Sequence, residues 1–218
     1  MVDVRLNAIV DPERANGRAL DEIARLTVAG GATLIQLRDK YGSTRRMIAE
    51  ARAIKAALAG TGVPLVINDR VDVALIAEAD GVHVGQDDMC VADARRLLGP
   101  KAIIGLSIKT VALANGAPID QLDYVGVGGV YATTSKDNPN TPIGVAGLAA
   151  IVAAFRARRP DLPVCGIAGI DATNAAPVIA GGADGVAVIS ALSAQNDPQA
   201  AARELRGIVD AALKARGR

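Results

Sequence analysis

Eight apolar, β-branched runs recur along the chain at residues 4–10, 33–38, 63–68, 81–84, 102–106, 124–127, 163–167 and 184–189, and this recurrence constrains the fold more than any other feature. Between them lie Ala-rich segments with periodic charge, such as 44–59, 91–98, 145–158 and 198–215, whose spacing predicts helices with one buried stripe. Strands that alternate with helices pair in parallel through right-handed crossovers. Eight such units with no evident linker predict one α/β domain over residues 1–218, a single (β/α)8 TIM barrel. An internal echo supports it: Glu78-Ala79-Asp80-Gly81-Val82 and Gly182-Ala183-Asp184-Gly185-Val186 both turn from a helix into a strand.

Several function classes are disfavoured by composition. Lysine and arginine number 24 against 23 aspartates and glutamates, so no global field draws in nucleic acid or an anionic membrane. No apolar stretch approaches the roughly 20 residues that span a bilayer, and Met1 to Arg5 is strand-like, so a cytoplasmic protein is expected. Cys90 and Cys165 lack the paired spacing of a zinc site, and both are expected to be small buried hydrophobes. The single histidine, His83, lies inside an apolar strand. That placement predicts a buried, hydrogen-bonded structural role and leaves no Ser-His-Asp or Cys-His arrangement.

Three polar clusters end consecutive strands: Gln36-Leu37-Arg38-Asp39-Lys40, Asn68-Asp69-Arg70 and Gln86-Asp87-Asp88. The C-terminal ends of barrel strands are where such folds build their sites. Alternation puts Gln36, Arg38 and Lys40 on one face, where three long polar groups need a ligand or carboxylates. Asp69 and Asp88 come from neighbouring strands and can converge on one hard cation, because magnesium takes one or two carboxylates, waters and phosphate oxygens. The bland alternatives are a structural salt-bridge cluster and, for each aspartate, a helix cap. The combination favours a magnesium-bound diphosphate.

A second anion site is legible where Gly166-Ile167-Ala168-Gly169-Ile170 follows the seventh strand and Ile189-Ser190 the eighth, the loops with which barrels often hold a phosphate. The connection at 131–144 is long, polar and proline-punctuated, and with Lys136 it predicts a mobile lid over an anionic ligand.

These motifs together resemble the thiamin phosphate synthase (thiamin-phosphate pyrophosphorylase) family over nearly the whole chain. Gln36 to Lys40 looks like its Q-L-R-x-K, Asn68-Asp69-Arg70 its N-D-R, and Gly81 to Asp88 its G-V-H-x-G-Q-x-D. Gly105-Leu106-Ser107, Thr133-Thr134-Ser135-Lys136, Gly166 to Ile170 and Val188-Ile189-Ser190 follow in family order. The resemblance implies an enzyme that joins 4-amino-5-hydroxymethyl-2-methylpyrimidine diphosphate to a hydroxyethylthiazole phosphate and releases diphosphate. It further implies that Gln36, Arg38, Lys40, Asn68, Ser107 and Lys136 hold the pyrimidine diphosphate, with Arg38, Lys40, Ser107 and Lys136 catalytic, and that Asp69 and Asp88 bind Mg2+. Thr133, Thr134 and Ser135, with Gly169, Ile189 and Ser190, would hold the thiazole phosphate.

A thiazole nitrogen carries no proton to remove, so a chemistry of leaving-group stabilisation needs no general base, in accord with the single histidine. Two departures from the family pattern stand out. Ala132 occupies the place of a usual proline, and Ala168 that of a usual glycine in I-G-G-I. The rival readings are a thiazole tautomerase-like isomerase and a noncatalytic phosphate-binding barrel. The first is disfavoured because Val127-Gly128-Gly129-Val130-Tyr131 lacks the histidine such isomerases use. The oligomeric state is open, a homodimer being one option.

Overall fold

The computed structural model describes residues 1–133 and 141–217. Eight parallel strands close on themselves in sequence order: β1 (Leu6–Val10), β2 (Leu34–Leu37), β3 (Leu65–Asn68), β4 (Gly81–Val84), β5 (Ile103–Ile108), β6 (Tyr124–Gly128), β7 (Val164–Ile167) and β8 (Gly185–Val188). β1 pairs with both β2 and β8, which leaves no edge. Around this barrel lie α1 (Leu20–Ala29), α2 (Thr44–Ala57), α3 (Val71–Ile76), α4 (Val91–Leu98), α5 (Val111–Gly116), α6 (Gly144–Arg158), α7 (Ala175–Ala180), α8 (Ser190–Ser193) and α9 (Pro198–Ala215). The α/β barrel expected from the alternation is therefore observed; β1, β2, β3, β7 and β8 are shorter than their apolar runs, whose ends feed the turns, while β5 and β6 extend past the ends of theirs.

Period-two alternation splits the apolar residues into two cores. Outward positions such as Ile35, Leu37, Ile67, Val82, Val125 and Val186 pack beneath the helices. Inward positions form a smaller cluster of Ile9, Leu34, Val66, Tyr124, Cys165, Ala187 and Ile189. Local signals set the longer helices: the Ser43 hydroxyl accepts from Arg46 N–H at the start of α2, and Asp197 caps α9 ahead of Pro198. Closure brings α9 against α1 at Gly30, where a Cβ would sit 2.4 Å from the Gln199 carbonyl oxygen.

Cys165 is buried as expected, but Cys90 is exposed, correcting the sequence reading. Cys90 is the residue before α4, on the loop at the barrel mouth, and its thiol donates to the Asp93 carboxylate at 3.2 Å. Small apolar character alone did not reveal that its segment lies outside both cores. No helix among the described residues is long and apolar enough to cross a membrane.

Candidate active site

Inward side chains shrink toward the C-terminal end of one half of the barrel. Gly85 follows β4, Gly105 lies on β5, and Gly126 and Gly128 lie on β6 above Tyr124. The resulting cavity of about 480 Å³ is lined on one side by Arg38, Lys40, Asn68 and Asp69, and on the other by Gln86, Asp88, Ser107 and Lys109. A second cavity of about 560 Å³ adjoins it, lined by Gly169, Ile189, Ser190 and Gln195. Thr133, Ile167 and Ala168 belong to both walls. The barrel mouth thus offers two connected chambers, one rich in charge and one framed by loop backbone.

Four ionised groups in the first chamber have definite partners. Arg38, nearly buried at the end of β2, forms an ion pair with Asp11, whose carboxylate is 1% exposed and also accepts from Glu13 N–H at 3.0 Å. Lys40 reaches across to pair with Asp69. Asp69 adopts a left-handed backbone (φ +64°), a conformation in which Asp is enriched, and its N–H donates to the His83 carbonyl at 2.8 Å. Asp88 accepts from Gly85 N–H at 2.7 Å, and a Cβ on Gly85 would lie 2.9 Å from that carboxylate oxygen. Neither aspartate caps a helix: Arg70 and Cys90 hold those positions, without a side-chain cap. Asp39 is different, accepting from Tyr41 N–H at 3.1 Å and Gly42 N–H at 2.7 Å to shape the turn.

Burial raises the Asp69 carboxyl above the ordinary aspartate range; Lys40 opposes that shift and the neighbouring Asp88 carboxylate adds to it. A second carboxylate close enough to disfavour the charge on Asp69 suits a shared cation. Among the described residues no three His, Cys, Asp or Glu side chains group as metal ligands, which rules out an all-protein cage there but matches magnesium's need for one or two carboxylates plus phosphate oxygens.

Most expected site residues meet at this mouth: Arg38, Lys40, Asn68, Asp69, Asp88 and Ser107 line the first chamber, Gly169, Ile189 and Ser190 the second, and Thr133 both. Gln36 is buried one inward position below Arg38 and does not line the chamber. Half of the expected lid, residues 134–140 with Thr134, Ser135 and Lys136 among them, falls outside the described residues. The sequence reading missed Asp11 and Lys109. Asp11 follows the first apolar run just as Asp69 follows the third, so position carried the signal, but Asp-Pro reads first as a turn. His83 is buried and hydrogen-bonded at both ring nitrogens, as expected.

Comparison with known proteins agrees with this geometry. A family model described as thiamine monophosphate synthase matches residues 6–192. Thiamine-phosphate synthase of Agrobacterium fabrum is 54% identical over 215 residues, covering 99% of this chain and 98% of that protein. Its counterpart in Chloroflexus aurantiacus is 47% identical over 209 residues, covering 96% and 94%. The solved structure of a thiamine phosphate pyrophosphorylase from Pyrococcus furiosus superposes with a TM-score of 0.84 at 35% identity, covering 97% of this chain and 98% of that one.

Proposed function

The chain belongs to the thiamine monophosphate synthase family, and from that membership we propose how its two chambers divide the reaction. The enzyme is a transferase that joins a pyrimidine diphosphate to a thiazole phosphate, forming thiamin phosphate and releasing diphosphate. The observation that carries the division is the pair of connected cavities: ion-rich around Arg38, Lys40 and Lys109, backbone-lined around Gly169 and Ser190. The first takes 4-amino-5-hydroxymethyl-2-methylpyrimidine diphosphate, with Gln36 one layer deeper on the ring side. The second takes the thiazole phosphate, and the shared wall at Thr133 and Ala168 lets the two substrates meet.

Asp69 and Asp88 are the residues that would hold Mg2+, which when bound neutralises charge on the departing diphosphate. Arg38, kept at the mouth by Asp11, and Lys40 stabilise the same developing charge in a partly desolvated site. Asn68 and Ser107 orient the diphosphate, and Lys109 adds a cation at the rim. The glycines of β5 and β6 leave a flat wall for the aminopyrimidine ring, whose electron-rich system tolerates positive charge at its methylene. The thiazole nitrogen then attacks that carbon, held in line by the second chamber. Lys136, Thr134 and Ser135 keep the roles the family resemblance assigns. Phosphorylated substrates of this kind suit a cytoplasmic enzyme.

Equilibrium binding tests the division. Arg38→Ala and Lys40→Ala are expected to weaken pyrimidine diphosphate binding in magnesium by tenfold or more, about 1.4 kcal/mol, while thiazole phosphate binding stays near wild type. Parallel losses for both ligands would contradict separate chambers.

A further inference from the structure

Beneath the first chamber lies a line of three side chains from adjacent strands. Tyr124, fully buried at the start of β6, has its hydroxyl 2.9 Å from His83 Nδ1, and His83 Nε2 lies 2.9 Å from Ser107 Oγ. Space for this line is cleared by two glycines: a Cβ on Gly105 would come within 2.5 Å of His83 Nδ1, and one on Gly126 within 3.2 Å of Cε1. Only the last member reaches the cavity wall.

Proton accounting gives the line a direction. Burial holds the Tyr124 phenol in its protonated form, with its pKa pushed well above the ordinary value. Among the described residues His83 Nδ1 is the acceptor within its reach, and a buried O–H left without one loses its hydration uncompensated. Tyr124 therefore donates to Nδ1, which leaves the imidazole proton on Nε2. Nε2–H donates to Ser107 Oγ, so the serine's own hydrogen turns elsewhere, and the open side of Ser107 is the cation-rich chamber.

We infer that Tyr124 and His83 are positioning residues that hold the Ser107 hydroxyl as a hydrogen-bond donor facing the pyrimidine diphosphate. The inference rests on the reading that Ser107 touches that substrate. It accounts for a wholly buried Tyr–His pair in a barrel centre that aliphatic side chains would otherwise fill. It also gives the lone histidine a part in the reaction without proton transfer to substrate.

Because the sequence holds a single histidine, 15N-histidine labelling of untagged protein yields one imidazole signal pair. Long-range 1H–15N correlation on the substrate-free enzyme is expected to show protonated Nε2 and bare Nδ1. Tyr124→Phe, which removes only the hydroxyl, is expected to shift the Nδ1 resonance and to lower kcat by about three- to tenfold, the effect of one neutral hydrogen bond. In a Ser107→Ala background the same substitution is expected to add nothing. A wild-type imidazole protonated on Nδ1, or kinetic losses that multiply independently, would overturn the relay. A wild-type rate in Ser107→Ala would instead overturn the reading of Ser107 on which the relay rests, with the tautomer unaffected.

Discussion

The Asp69 carboxylate carries a cost in the fold that its proposed magnesium role would explain. Its folded pKa is raised, so once the pH exceeds that value ionised Asp69 weakens the folded state, and the cost fades as pH falls below it. Asp69→Asn keeps a residue type tolerated at φ +64° and removes the repulsion with Asp88, while the Lys40 ammonium it releases is largely exposed. At neutral pH this variant is expected to melt no lower than wild type yet lose most turnover at any magnesium concentration. Thermal melts beside a magnesium titration check both halves, and wild-type activity at low magnesium would refute the ligand assignment. Ala168 makes the converse case: at φ +85° its methyl is strained, consistent with the glycine expected there by family resemblance. Ala168→Gly is expected to gain at most about 1 kcal/mol, raising the melting temperature by about 2–4 °C, and calorimetry would show it. Asp69, Asp88 and Arg38 were legible in the sequence because each is a polar residue ending an apolar run. The Asp11 partnership was not, since it depends on β1 lying beside β2, a consequence of pairing that one strand does not reveal.

At the scale of elements the barrel floor repeats one device. The residue before an even-numbered strand accepts from an N–H in the first two residues of the strand preceding it: Thr33 Oγ from Leu6 N–H at 3.1 Å, Asp80 from Leu65 N–H at 2.7 Å, Asp123 from Ile104 N–H at 2.8 Å and Asp184 from Val164 N–H at 2.9 Å. The echo between Ala79-Asp80-Gly81 and Ala183-Asp184-Gly185 in the sequence is this device. The Thr33 and Asp123 copies were hidden because their neighbours differ. Asp184 also joins Arg156 on α6 and Arg216 beyond α9, so it ties two helices to the closing strands. Asp184→Ala is expected to cost about 2–4 kcal/mol, removing the carboxylate partner of two partly buried guanidiniums that keep only their other partners, against about 1–2 kcal/mol for Asp80→Ala. Urea denaturation gives the order, and an equal or smaller loss for Asp184→Ala would refute the tie.

For the molecule as a whole, periodicity made the barrel readable, since eight alternating units have few ways to bury both faces of a parallel sheet. The hollowing of one half was less readable. Gly85, Gly126 and Gly128 look like turn or strand glycines until closure sets them around one space. That space adjoins the chamber of loops seven and eight, and under the proposed division the two would hold two anionic substrates at one barrel mouth. The proposed division of labour also separates charge from chemistry: cations and carboxylates would stabilise a leaving diphosphate while the histidine stays within the barrel. The most direct measurement mixes purified protein with pyrimidine diphosphate, thiazole phosphate and magnesium, and quantifies thiamin phosphate and diphosphate by chromatography. Equal amounts of both products, formed only with both substrates and lost when EDTA removes the metal, are the expected result; diphosphate without thiamin phosphate, or no product at all, would contradict the account.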